Sequence, residues 1–224
     1  MLEHNIISLK ELYRFVQNHR SEENALNISG RNPIGNKYCT CCKECVSDVP
    51  EQRGLYLWGF YNEAGFWVNV YIGLADFRKT ARLKERLYKE LTAERASIWR
   101  AVYPSKNDLL AAGARTHPRM WPKYRIHWER ALRKAGSTHI LWVATPHLAP
   151  SGLESVESDI IEAMNPTGNR RRRMPPANFR KEAAEILDIF RETIHETINR
   201  KSGFHLKYHD EFWKWVGEAE PTNP

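Results

Sequence analysis

The sequence predicts an α+β fold: a small antiparallel three-stranded sheet flanked by helices, with helical N- and C-terminal extensions. Three observations predict it. Residues 54–60 and 66–73 alternate, are rich in Val, Ile, Trp and Tyr, and flank a turn at 62–65, which reads as a β-hairpin. Residues 139–145, HILWVAT, form a third β-rich run closed by Pro146 and Pro150. Between and after these runs the apolar residues recur at helical spacing, so helices pack against the sheet.

Taken in order, residues 7–18 place Ile7, Leu9, Leu12, Phe15 and Val16 on one helical stripe, with Ser8 as N-cap. Residues 19–53 are polar, broken by Gly30, Pro33, Gly35 and Pro50, and read as loop. After the hairpin, residues 80–103 carry the stripe Leu83, Leu87, Leu91 and stop at Pro104. Residues 122–135 read as a helix that opens on Pro122 and closes at Gly136. A helix over 152–164 follows the third strand and ends before Pro166. A basic linker over 167–176 leads to a long amphipathic helix, 177–200, with Phe179, Ala183, Ile186, Leu187, Phe190, Ile194 and Ile198 on one face. The aromatic tail 204–216 reads as a last helix. These boundaries predict an N-terminal extension over 1–49, a central domain over 50–172 with a helical insertion at about 92–137, and a C-terminal helical extension over 173–224.

Composition narrows the function. The chain has 224 residues, 42% hydrophobic and 27% charged, which fits a globular protein and excludes a disordered one. No apolar run is long enough to cross a bilayer, and the N-terminus, MLEHNIISLKELYRF, lacks the basic-then-apolar order of a signal peptide. A cytoplasmic protein with no membrane partner is expected. Lys and Arg number 34 against 27 acids, a net charge of +7, which favours a polyanion partner such as DNA.

The four cysteines Cys39, Cys41, Cys42 and Cys45 fall in one heptapeptide, so no disulfide can join distant segments. The C-x2-C spacing, present twice, suits thiolate ligation of a structural Zn²⁺, with reduced, unligated thiols as the alternative.

Tyrosine and glycine stand together at both ends of the hairpin, as Gly54-Leu55-Tyr56 and Tyr71-Ile72-Gly73. Downstream come Leu83-Lys84-Glu85-Arg86-Leu87, with Arg82 as the fallback arginine, and then Glu157 followed by Ile160, Ile161, Pro166 and Asn169. Taken singly, each has an ordinary explanation. A strand tyrosine in a chain with nine of them is by default a core residue, and an arginine on a charged helix face is by default solvated. In this order they resemble the GIY-YIG nuclease family, over roughly residues 53–170. The chain departs from the family pattern in several places. Leu55 replaces isoleucine, the hairpin loop is longer, and an insertion follows the arginine helix. Glu90 stands where the family often has a Tyr or His one turn after the arginine, with Tyr88 or an inserted histidine as substitutes.

The resemblance implies a divalent-metal-dependent DNA endonuclease, using Mg²⁺ or Mn²⁺. It implies Glu157 as metal ligand, with Glu154 and Glu162 as rivals. Arg86 is the bidentate phosphate clamp. Tyr56 is the general base, its pKa drawn down from the usual 10 by nearby cations, and Tyr71 positions phosphate or water. Asn169 holds the glutamate helix or the strand by side-chain hydrogen bonds. Arg82 and the run Arg170, Arg171, Arg172 and Arg173 are the candidate DNA contacts, with Arg78 and Lys79 beside them. The enzyme would act as a monomer or homodimer, in restriction, repair or mobile-element cutting. A catalytically inactive nucleic-acid-binding protein of the same fold is the alternative.

Overall fold

The computed structural model describes residues 2–18, 33–61, 67–76, 82–92, 137–164, 166, 169 and 180–200. The expected turn at 62–65, the insertion helix at 122–135 and the aromatic tail at 204–216 lie outside them, as do Arg78, Lys79 and the arginine run 170–173.

The architecture is mixed α+β, with a sheet of four antiparallel strands where three were expected. The extra strand is β1 (His4–Ser8), which pairs with the last strand from His4 opposite Val143 to Ser8 opposite His139. Sequence periodicity assigned Ile7 to a helix, but the β-branched pair Ile6-Ile7 suits extended backbone, and each residue packs into a different face of the sheet. Helix α1 (Lys10–Asn18) therefore begins after Ser8, whose hydroxyl accepts a long bond from the Lys10 N–H at 3.4 Å.

Helix α2 (Pro33–Cys45) replaces the loop expected around the cysteines. Pro33 opens it, where a missing N–H costs nothing. Tyr38, Cys42 and Val46, four residues apart, turn inward and are buried. Strands β2 (Gly54–Tyr61) and β3 (Trp67–Ala75) form the hairpin, and helix α3 (Leu83–Thr92) follows. Two of its first N–H groups, those of Leu83 and Lys84, donate to the Gln52 and Pro50 carbonyls. At its far end the Tyr38 hydroxyl donates to the Leu91 carbonyl at 2.9 Å. Strand β4 (His139–Ala144), helix α4 (Pro150–Met164) and helix α5 (Lys181–Arg200) complete the described elements. Pro150, expected to close the strand, instead starts α4.

The strand order is β1-β4-β2-β3, with β3 at an edge. Alternation along the strands builds two cores. One face carries Ile7, Tyr56, Trp58, Ile140 and Trp142 against α1, α2 and α3. The other carries Leu55, Leu57, Ile72, Leu141 and Val143 against α4 and α5, where Ala183, Ile186, Leu187, Phe190 and Ile194 are buried. Among the described residues, no helix is long and apolar enough to cross a membrane.

Candidate active site

Tyr56 lies in the middle of the sheet on β2 and is fully buried. Its cross-strand partner is Gly73, and the phenol lies over that glycine: a Cβ built there would stand 2.4 Å from the hydroxyl oxygen. The missing side chain lets the ring reach across β3. Leu83, Leu87 and Leu91 of α3 face inward, which turns Arg86 and Glu90, one helical turn apart, toward the phenol. Arg86 Nε donates to the Tyr56 oxygen at 3.0 Å, and the Tyr56 hydroxyl donates to Glu90 Oε1 at 3.3 Å. Arg86 Nη2 closes the triangle on Glu90 Oε1 at 2.6 Å.

Tyr71 reaches the same face through a fault in the strand. Trp58 pairs with Tyr71, but Gly59 pairs with Asn69, so Val70 is an extra residue in a β-bulge. Strict alternation from Trp67 and Asn69 would send Tyr71 into the α4–α5 layer. With Val70 inserted, Trp67 packs into that layer while Tyr71 packs beside Tyr56, ring centroids 6.3 Å apart and planes tilted by 43°.

The electrostatics differ from the expectation of an acidified phenol. Burial pushes the Tyr56 hydroxyl well above its ordinary value of 10.0; Glu90 and Tyr71 add to the rise, and Arg86 only partly opposes it. Tyr56 is thus held as a neutral phenol, because burial disfavours its anion and the carboxylate beside it offsets the guanidinium. Burial works against the charge of Arg86, yet Tyr56 and Glu90 outweigh it and keep the guanidinium firmly protonated. Arg86 and Glu90 keep 27% and 13% of their side chains exposed, so the buried phenol connects to solvent through this pair.

Asn169 sits at the sheet edge. Its Oδ1 accepts from the Ile72 N–H and its Nδ2 donates to the Ile72 carbonyl, both at 2.8 Å, so one amide acts as a two-pronged strand partner between Tyr71 and Gly73. Glu157 stands half-buried on α4, the helix that packs against β3 in the layer opposite Tyr56. The last turn of α4 is tied to that strand, since Asn69 Nδ2 donates to the Met164 carbonyl at 2.8 Å. Glu154 and Glu162 are also half-buried on α4. Asp159 is buried and held by Arg180 at 2.7 Å. Arg82 is exposed and pairs with Glu51 at 2.6 Å, near the start of α3.

Tyr56, Tyr71 and Arg86 therefore share one cluster, Asn169 caps the strand that carries Tyr71, and Glu157 comes from the opposite helix layer. Sequence reasoning missed two features. One is Glu90, whose position four after Arg86 signals a shared helix face. The bulge had its signal in Gly59, a glycine inside a strand, where a Cβ would stand 2.1 Å from the Trp67 ring.

A half-buried carboxylate such as Glu157 suits Mg²⁺ or Mn²⁺, which keep several waters and take few protein ligands. Zinc wants three or four nitrogen or sulfur ligands. Among the described residues no group of three or more His, Cys, Asp or Glu side chains is arranged to hold a metal, the cysteines of α2 included. Burial pushes the Cys42 thiol up and raises Cys45 to about 12, so both are held as thiols. No family model, no curated protein and no solved structure matches the chain.

Proposed function

We propose that the chain is a divalent-metal-dependent endonuclease that hydrolyses DNA phosphodiester bonds, with a GIY-YIG-type core, in a restriction-like, repair or mobile-element role. The observation that carries this reading is the hydrogen bond from Arg86 Nε to the Tyr56 hydroxyl, with the Tyr71 ring beside it. A guanidinium with solvent access, two phenols on one sheet face and a carboxylate on the next helix layer are the groups phosphodiester hydrolysis requires. The net charge of +7 supports a DNA partner.

Arg86 turns its Nε and Nη2 toward Tyr56 and Glu90, which leaves Nη1 to take a phosphate oxygen. Tyr56 orients the attacking water, and Tyr71 lines the same face. Asn169 fixes the β3 backbone on either side of Ile72, and with it Tyr71 and Gly73. Glu157 would hold the metal, which supplies Lewis-acid relief of charge on the phosphate and leaving oxygen. Arg82 and the run Arg170–Arg173 contribute cations for the DNA backbone.

A second reading, a binding protein of the same fold that does not cut, draws on one observation: Glu90 already occupies Arg86 and holds Tyr56 neutral. Incubation of supercoiled plasmid with Mg²⁺ or Mn²⁺, against chelator, separates the two. The nuclease reading expects metal-dependent nicking that Arg86→Ala and Glu157→Ala abolish while DNA binding persists. Wild-type protein that binds DNA and never nicks it would sink this reading and favour the second.

A further inference from the structure

We propose that Glu90 is the terminal proton acceptor of this site, reached from the attacking water through Tyr56. The inference rests on the nuclease reading and deepens it. Its basis is geometric. One carboxylate oxygen, Glu90 Oε1, receives both the Tyr56 hydroxyl at 3.3 Å and Arg86 Nη2 at 2.6 Å, and the same hydroxyl receives Arg86 Nε at 3.0 Å. The links beyond the phenol, from Tyr56 to Glu90 and from the exposed edge of Glu90 to solvent, are therefore already made, and the fully buried Tyr56 oxygen meets the attacking water once substrate seats it against the Arg86–Glu90 edge.

Helix stability gives no reason for this arrangement. Glu90 lies in the last turn of α3, where a negative charge opposes the helix dipole, and an arginine preceding a glutamate by four residues is the poorer order for such a pair. A residue that breaks local rules in a cluster of polar groups points to function.

A water O–H bond breaks and its proton bonds to the Tyr56 oxygen. The phenol's original proton passes along the 3.3 Å hydrogen bond to Glu90 Oε1. The hydroxide oxygen bonds to phosphorus, and the P–O3′ bond breaks with its electron pair on the 3′-oxygen, which takes a proton from solvent. Tyr56 never becomes an anion, which suits its buried position. Arg86 loses its counter-charge as negative charge builds on the phosphate, so its attraction to the transition state grows when it is needed. Glu90 acts through Tyr56 and is a positioning and relay residue.

The test compares wild type with Glu90→Gln, which keeps the shape and an acceptor for Arg86 but takes no proton. Single-turnover nicking of plasmid with Mg²⁺ is followed, with DNA affinity and melting temperature alongside. The expected result is a loss of about 100-fold or more in rate, with affinity unchanged or tighter and the melting transition preserved. The wild-type rate in mixtures of H₂O and D₂O is expected to follow a bowed curve, two protons moving together, a readout that does not depend on the variant folding. A Glu90→Gln protein that nicks at the wild-type rate, or a linear wild-type curve, overturns the relay and leaves the nuclease reading standing. Wild-type protein that does not nick overturns that reading and the relay with it.

Discussion

Tyr56 and Gly73 occupy one volume that only a residue without a side chain can share: the phenol oxygen lies 2.4 Å from where a Cβ at position 73 would be. The whole polar triangle with Arg86 and Glu90 depends on the ring lying flat across β3.

Gly73→Ala is accordingly expected to push the Tyr56 ring away from Arg86, lower stability by about 1–3 kcal/mol, and reduce any nicking far more than the loss of stability explains. Gly152→Ala is the contrast, because nothing stands within 4 Å of a Cβ there. In helix α4 it should raise stability by roughly 0.5–1 kcal/mol. Thermal melts of both variants check the pair, and equal effects would refute the contrast.

Asn169→Ala removes both bonds to Ile72. A loss of roughly 1–3 kcal/mol is expected. Hydrogen exchange at the Ile72 amide should accelerate well beyond that of its neighbours in β3. Exchange that stays at the wild-type rate would mean that the cap contributes nothing.

Asp159 is 1% exposed, and Arg180 gives it bonds from Nη1 at 2.7 and 2.8 Å and from the backbone N–H at 3.2 Å. Arg180→Ala removes the guanidinium, leaves the buried carboxylate with only the backbone N–H of residue 180, and should cost about 3 kcal/mol. Asp159→Leu in the same chain should restore most of it. Urea titration of the single and double variants decides the matter, and additive losses would exclude the coupling.

Alkaline pH should weaken the fold. Burial raises the Tyr56 phenol and the Cys42 and Cys45 thiols, Cys45 to about 12. Groups raised in the folded state contribute stability that is intact below their unfolded values, 9.0 for the thiols and 10.0 for the phenol, and lost as pH climbs through the folded values. The melting temperature is expected to hold up to about pH 9 and then fall, with Cys45→Ser flattening the decline between about pH 9 and 12. A wild-type melting temperature unchanged across that range would contradict it.

Much of this architecture is legible in the sequence where one pattern has one reading. The hairpin, the third β-rich run and the leucine stripe of α3 are of this kind. Ile7, Leu9 and Leu12 satisfy helical spacing even though Ile7 belongs to a strand, so β1 is hidden by its neighbour. In α2, glycine and proline masked the four-residue spacing of Tyr38, Cys42 and Val46. At the site, the motif residues Tyr56, Tyr71 and Arg86 can be picked out by order alone. The Val70 bulge cannot, because strand faces depend on register with a partner, which no local pattern encodes. The position of Glu90 is written in the spacing, but its attraction for the phenol emerges only once helix α3 lies across β2.

The order β1-β4-β2-β3 has a consequence for the chain as it is synthesised. Of the described strands, β4, one of the two internal ones, is the last to leave the ribosome, and it slots between two strands completed long before. Until residue 144 has emerged, β1 has no neighbour and β2 is paired on one side only. The nascent sheet must therefore wait with open edges through the whole of the segment that precedes His139. This long-range closure slows folding and exposes the early strands to other chains, so chaperone demand should be greatest in that interval.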